Sequence, residues 1–436
     1  MAFQPLRYEQ SFPNDWTSED TLVLIGELVP GGYVNGLVAA AQRRGMKIIE
    51  TTVGRREPNG KLVPLSTEQW GQKRFLCINV PIEAGFDYEE NEAGETPISV
   101  LRDLKMQDWS QFRLDPSSLQ TWMERGRKRL RQSLDQMLGE LEPLLPARGR
   151  VIFAHLMAGG VPRSKVVLAL LNRVVRGHGA KYFSSEDLWQ SDLGRLIEAN
   201  FFEVTAQSFE LLLESTKDLR ERLEASGRRV CYTAYGYHGT EIFIGNQWRW
   251  QSYVPYLQGW AKLKLEEIAK SAIAQGIHAT VYNCPEILTQ SSSIFNGVEL
   301  PLYPLLAAFK QLAPEHKATR LLWQYAKERL KSDVSVEAML STIDEAYATP
   351  ELAILFDYSR WPGHNEPQQM ARVLQTSERV LSMHRDEKDV ITFELSRIVL
   401  QACGEVMLRA SSAPTGHGVL WLGHDVVTKT FIELMA

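Results

Sequence analysis

The chain has only four cysteines, Cys77, Cys231, Cys284 and Cys403, far apart and without metal-ligand spacing. That pattern excludes a disulfide framework or a zinc module and predicts buried, reduced thiols in a cytoplasmic protein. An excess of basic charge is missing too: the net charge is −5 at pH 7, whereas a nucleic-acid-binding domain would favour a basic balance. There is no run of about 18 apolar residues, so no membrane span is expected. The opening MAFQPLRYEQSFPNDW has no apolar core behind a basic start, so no signal peptide is expected. No repeat or low-complexity tract stands out. What remains is a globular composition, 44% hydrophobic and 23% charged over 436 residues, enough for one large domain with insertions or two ordinary ones.

Over the first 300 residues short β-branched runs alternate with helical patterns, which predicts an α/β fold: a doubly wound parallel sheet covered on both faces. The expected strands are Thr21–Ile25, Lys47–Val53, Phe75–Val80, Val151–Leu156, Val230–Ala234 and Ala279–Asn283. A helix from about Ser117 to Leu144 carries Arg125, Arg127, Lys128, Arg129 and Arg131, read as a solvated face or a docking patch for an acidic partner. From 301 to 415 the pattern is helical, and Val419–Leu422 reads as a last strand returning to the sheet. The expected division is therefore a catalytic unit of 1–300 and 416–436, with 301–415 as a substrate lid or an oligomer surface.

Three stretches carry chemistry. Between the first strand and its helix lies Gly26-Glu-Leu-Val-Pro-Gly31-Gly32-Tyr33-Val-Asn-Gly36, where missing Cβ atoms and a helix amino terminus would admit a pyrophosphate. The G-x-G-x-x-G spacing is absent, and a structural turn is the alternative. After the second strand, Arg55 and Arg56 could meet the 2′-phosphate of NADP(H), or could be ligand-free loop residues. Third, Lys262 lies within about 20° of Ala269 and Ile273 on a helix from 256 to 274, on the face due for burial, whereas Lys264 points outward. A core-facing ammonium needs a polar partner. Snorkelling of the lysine stem is the alternative.

Taken in order, these segments resemble a short-chain dehydrogenase/reductase, and its enoyl-acyl-carrier-protein reductase branch most closely. Gly26 and Gly36 are ten apart, as in the divergent turn of bacterial enoyl reductases. Phe153-Ala-His155-Leu-Met-Ala158-Gly159-Gly160 is similar to the fourth-strand motif under the nicotinamide ribose, and Ala234-Tyr235-Gly-Tyr237 to the fifth-strand element. Gly259-Trp-Ala-Lys262-Leu-Lys-Leu265-Glu266 resembles the catalytic helix, and Pro285-Glu-Ile287-Leu-Thr289 the turn after the sixth strand. The resemblance covers roughly residues 20–300 and 416–425. Tyr253 precedes Lys262 by nine positions, like one long-spacing enoyl reductase class; Pro255 as a first helical residue would free it from helical phase. Tyr256 is the rival phenol.

The resemblance implies a Rossmann-like enzyme that reduces the 2,3 double bond of enoyl thioesters in fatty acid biosynthesis. It implies NADP(H) or NAD(H), with Arg55 and Arg56 leaning towards NADP(H), and it requires no metal. Tyr253 or Tyr256 would bond the thioester oxygen, Lys262 would hold the ribose and lower the phenol's pKa, and Tyr235 would lie near the carbonyl. Gly26, Gly31, Gly32, Tyr33, Gly36, Asn79, Ala158, Gly159, Pro285, Ile287 and Thr289 would line the cofactor. His155 reads as a hydrogen-bonded strand residue rather than a base. The partner is an enoyl thioester on acyl carrier protein or coenzyme A, with a homo-oligomer expected. A ketoreductase or hydroxysteroid-type dehydrogenase, and a catalytically silent NAD(P)-binding sensor or scaffold, stand as alternatives.

Overall fold

The computed structural model describes residues 3, 5–7, 12–158, 164–176, 185–253, 257–289, 297–360, 365–412 and 416–436. Seven strands form one sheet: β1 (Thr21–Ile25), β2 (Lys47–Thr52), β3 (Leu76–Pro81), β4 (Val151–His155), β5 (Val230–Tyr235), β8 (His278–Asn283) and β9 (Val419–Trp421). Outside the sheet are two antiparallel pairs among the described residues: Arg55–Arg56 with Leu62–Val63, and β6 (Thr240–Ile244) with β7 (Gln247–Gln251). The sheet runs β3-β2-β1-β4-β5-β8-β9, and every pairing in it is parallel. Burial on both faces explains why the strands read as near-continuous apolar runs rather than alternating ones. The order reverses between β1 and β4. Ligands of open α/β sheets bind at such a switch point, outside the carboxyl ends of the strands.

Alternation of side chains splits the core in two. Leu22, Leu24, Ile152 and Tyr282 point towards α1 (Val34–Arg43), α5 (Thr392–Ala410) and α6 (His424–Leu434). Val23, Ile25, Phe153 and Tyr232 point towards α2 (Pro116–Leu141), α3 (Ser208–Ser215) and α4 (Leu257–Ala274). The first core continues without a break into Leu305, Leu306 and Ile343 of the helices beyond Glu299. Those helices therefore share one core with the sheet. Among the described residues no helix is long and apolar enough to cross a membrane.

The expected strands are in place, with ends shifted by a residue or so. The segment around Trp248 and Trp250, to which the sequence pattern assigns no element, is the β6–β7 hairpin. Asn246 and Gly245, at φ 59° and 56°, make its two-residue turn. Trp250 meets His238, Tyr358 and Phe3 edge-on or tilted.

Gly36 sits inside α1 against α5. A Cβ there would fall 1.8 Å from the Leu400 carbonyl oxygen, and one on Gly404 would fall 2.0 Å from the Gly36 carbonyl carbon. The missing side chains of both residues thus serve the near-contact of two helix backbones. Gly404→Ala must push the helices apart and is expected to cost about 3 kcal/mol, read from the urea midpoint at unchanged slope.

Candidate active site

At the switch point β1 runs into Gly26, which adopts φ 114°; a Cβ there would lie 3.2 Å from Leu156 Cβ. The Gly26 N–H donates to Thr51 Oγ1 at 2.9 Å, and that hydroxyl donates to the Leu24 carbonyl, so the end of β2 fixes the bend. Among the described residues, no atom lies within 4 Å of where a Cβ would stand on Gly31, at φ 74°, and around Gly32 none lies nearer than 3.7 Å. The backbone of this turn is open to an approaching group. Tyr33 closes it: its hydroxyl donates to the Pro285 carbonyl at 2.7 Å, and its ring lies 5.6 Å from that of Tyr235.

Lys262 is 4% exposed, on the same stripe of α4 as Leu265 and Ala269, both fully buried, while Lys264 is exposed and pairs with Glu267. Burial alone lowers its pKa to about 7. The nearby imidazole of His155 is held neutral by burial and then by the Lys262 charge. One turn further on, the fully buried Glu266 accepts from Asn283 Nδ2 at 2.9 Å and lies 3.2 Å from His238 Nδ1. Asn283 Oδ1 in turn accepts from the His238 N–H at 2.7 Å. This network clamps α4 to the end of β8. The sequence signal was available, since Glu266 shares the buried face with Lys262.

Tyr253 is 2% exposed, and its hydroxyl donates to the Cys284 carbonyl. Its pKa is raised well above 10, first by burial and then by neighbours including Tyr33 and Glu286. That corrects the expectation of a phenol made more acidic by Lys262: here it is a buried donor to a neutral oxygen. Tyr256 and Pro255 lie outside the described residues, as does Gly159. Tyr235 leans to the α1 side of the sheet, opposite α4, and its hydroxyl has no hydrogen-bond partner among the described residues. The neighbour of Tyr253 is instead Tyr237, with ring centroids 4.4 Å apart. Strand β5 ends at Tyr235, and the turn that follows brings Tyr237, not Tyr235, against Tyr253.

Tyr237 donates to Glu286 Oε1 at 3.0 Å. Burial pushes the Glu286 carboxyl up to about 7, against that hydrogen bond. Glu286 is largely buried and lines a cavity of about 30 Å³. Gln251, Leu300, Tyr347 and Met370 also line that cavity. Sequence reasoning misses Glu286, which has no helical phase or motif position to single it out.

Among the other expected cofactor residues, the two arginines and Asn79 already have protein partners. Arg55 bonds Glu27 at 3.0 Å, and Lys73 bonds the same carboxylate at 2.8 Å. Arg56 pairs with Glu83 at 2.6 Å and lies over the Tyr88 ring. The Asn79 amide is committed to both backbone groups of Leu65, at 2.8 and 2.9 Å. Ala158 is exposed, Pro285 and Ile287 are buried, and Thr289 is partly exposed. The four cysteines are all buried and free. On α2, Arg125, Arg127, Arg129 and Arg131 pair with Glu92, Glu203, Glu89 and Glu214, so four of the five basic residues of the run are paired in place.

An open glycine bend at the switch point, with a buried lysine and a cluster of phenols across it, defines a Rossmann-like nicotinamide-dependent reductase. The chain belongs to the enoyl-acyl carrier protein reductase FabMG family, whose model matches residues 3–431. It is similar to the apo structure of FabMG, a novel type of enoyl-acyl carrier protein reductase: 41% identity, 99% of this chain and 98% of that one, TM-score 0.93. It is also similar to NADH-bound FabMG: 37% identity, 99% and 100% coverage, TM-score 0.79. No curated protein sequence matches. The chain is an NAD(P)H-dependent oxidoreductase of the enoyl reductase kind.

Proposed function

We propose that the chain reduces enoyl thioesters carried on acyl carrier protein, with Lys262 and Tyr253 as the residues at the reacting centre. The observation that carries this reading is Lys262, an ammonium buried near the end of β4 with no carboxylate paired to it among the described residues. The nucleotide fits the residues present: an open glycine turn, a helix amino terminus and a buried cation. Bound, it would supply the hydride. Lys262 would donate to ribose hydroxyls and hold positive charge in the cleft. The Tyr253 hydroxyl would leave the Cys284 carbonyl and donate to the thioester oxygen as negative charge develops there. Tyr237 packs against the Tyr253 ring and steadies it. The helices beyond Glu299 would cover the acyl chain, since the cavity beside Tyr237 and Glu286 is lined by Leu300, Tyr347 and Met370 from those helices.

We favour NADH over NADPH. The carboxylate of Glu27, directly after Gly26, engages Arg55, so the arginine expected to greet a 2′-phosphate is already paired. Glu27→Gln is expected to release Arg55 and Lys73 and raise the NADPH/NADH ratio of kcat/KM about tenfold, a shift of about 1.4 kcal/mol. The test of the whole reading is the fall in nicotinamide absorbance with crotonyl-type enoyl thioesters against 3-oxo thioesters. Turnover of the enoyl set alone supports it; turnover confined to 3-oxo substrates would favour a ketoreductase.

A further inference from the structure

Glu286 stands just after β8, in the turn whose backbone receives both buried phenols of the site. The Pro285 carbonyl accepts from Tyr33, and the Cys284 carbonyl accepts from Tyr253. Its side chain accepts from the Tyr237 hydroxyl at 3.0 Å and otherwise meets the cavity, where Leu300, Met370 and Val373 are apolar neighbours from the helices Glu299–Leu302 and Pro367–Ser382. A carboxylate is costly in such a place unless a cation pairs with it. Glu286 forms no ion pair among the described residues.

The ionisable groups around it do not neutralise it. Tyr237 faces it from the turn after β5, Tyr33 from the turn before α1, Tyr253 from the chain after β7, and Tyr347 from the helix Val336–Tyr347. Burial above all raises the pKa of Tyr33, Tyr253 and Tyr347 well above 10, so these phenols stay uncharged. Glu299 faces it from the next helix, and burial raises that carboxyl as well. Gln251 on β7 is a neutral amide. A buried acid among such neighbours changes charge near neutral pH, and a cavity of about 30 Å³ admits a water molecule to take its proton.

That charge lies close to where the reaction builds one. The Tyr237 ring, bonded to Glu286, is 4.4 Å from the ring of Tyr253, and the Tyr253 hydroxyl rests on the backbone two residues ahead of Glu286. The neutral acid still accepts from Tyr237. A carboxylate adds a like charge beside the developing oxyanion, which weakens what Tyr253 can do for it.

We propose that Glu286 is a positioning residue for the reduction: as the neutral acid it holds Tyr237 against Tyr253, and as a carboxylate it opposes the oxyanion that Tyr253 meets, so the protonated form is the faster enzyme. The inference rests on the reductase reading of the site.

The test is kcat of the full chain with a crotonyl-type thioester at saturating NADH. Glu286→Gln keeps the volume and the acceptor for Tyr237 but cannot ionise. Lys262, with its own pKa at about 7, loses its proton over the same range, so the two proteins are compared as a ratio in which that shared loss cancels. The ratio of variant to wild-type kcat should rise about tenfold between about pH 5.5 and about pH 8.5, the effect of one nearby charge at an intermediate effective dielectric. A merely structural Glu286 would leave the ratio flat, and a flat or falling ratio overturns the proposal. Should Glu286→Gln fail to fold, Tyr237→Phe decides. The Tyr237 hydrogen bond favours the ionised carboxyl, so without it the fall of kcat should move to higher pH. An unmoved profile overturns the proposal too. If the wild type reduces no enoyl thioester at any pH, the reductase reading falls and this inference with it; if it does and the ratio is flat, this inference alone falls.

Discussion

Lys262→Met is expected to lower enoyl-thioester kcat/KM by about a thousandfold while making the protein harder to unfold. The two effects have one cause. Taking an ammonium from water into the fold is unfavourable, which is why its pKa drops from 10.5 to about 7. Because the native pKa lies below the unfolded one, the unfolded chain binds more protons between those values, and stability rises with pH across that window. The destabilising term is complete below about pH 7 and fades as pH climbs towards 10.5. Removing the charge at pH 6 should therefore raise stability by on the order of 3 kcal/mol, and at pH 10 by far less. Loss of the ribose donor and of the positive field would account for the fall in rate, of the size seen when a preorganised electrostatic contact is deleted. Thermal unfolding at the two pH values, beside steady-state rates, checks both halves. A variant that is less active and less stable would mean a merely structural lysine.

Tyr253→Phe is expected to reduce kcat by 10²- to 10³-fold with NADH affinity almost unchanged, the pattern of an interaction made only in the transition state. Tyr256→Phe and Tyr237→Phe should cost far less, about tenfold at most on the same grounds. The Tyr253 change also strips the Cys284 carbonyl of its donor, so a stability loss of about 1–2 kcal/mol should accompany it. Wild-type turnover in a Tyr253→Phe/Tyr256→Phe double variant, with NADH still bound, would leave the chain a nucleotide-binding scaffold rather than a tyrosine-dependent reductase.

The phenols show how far a motif reaches. Tyr235 and Tyr237 are both visible in the sequence, two residues apart at a strand end, but which one meets Tyr253 depends on where β5 stops and the chain turns. The glycine turn was legible because a backbone open to an anion has few sequence solutions. Gly36 was legible only as a glycine, because the helix it abuts, α5, lies more than 350 residues along the chain. Arg55 and Arg56 read as ligands because their carboxylate partners, Glu27 and Glu83, are remote in sequence too.

Periodicity settled the parallel sheet, the order of its chemistry-bearing turns and the inward facing of Lys262, since each depends on local backbone repeat and on which side chains avoid water. Tertiary structure decided the pairings: Ser208 with His155, Glu266 with His238 and Asn283, Tyr237 with Glu286, Arg55 with Glu27. Hydrogen bonds and ion pairs act over a few ångströms between groups that the chain order leaves far apart. Only the packed fold, which brings strand ends and helices together at the switch point, fixes which donor finds which acceptor.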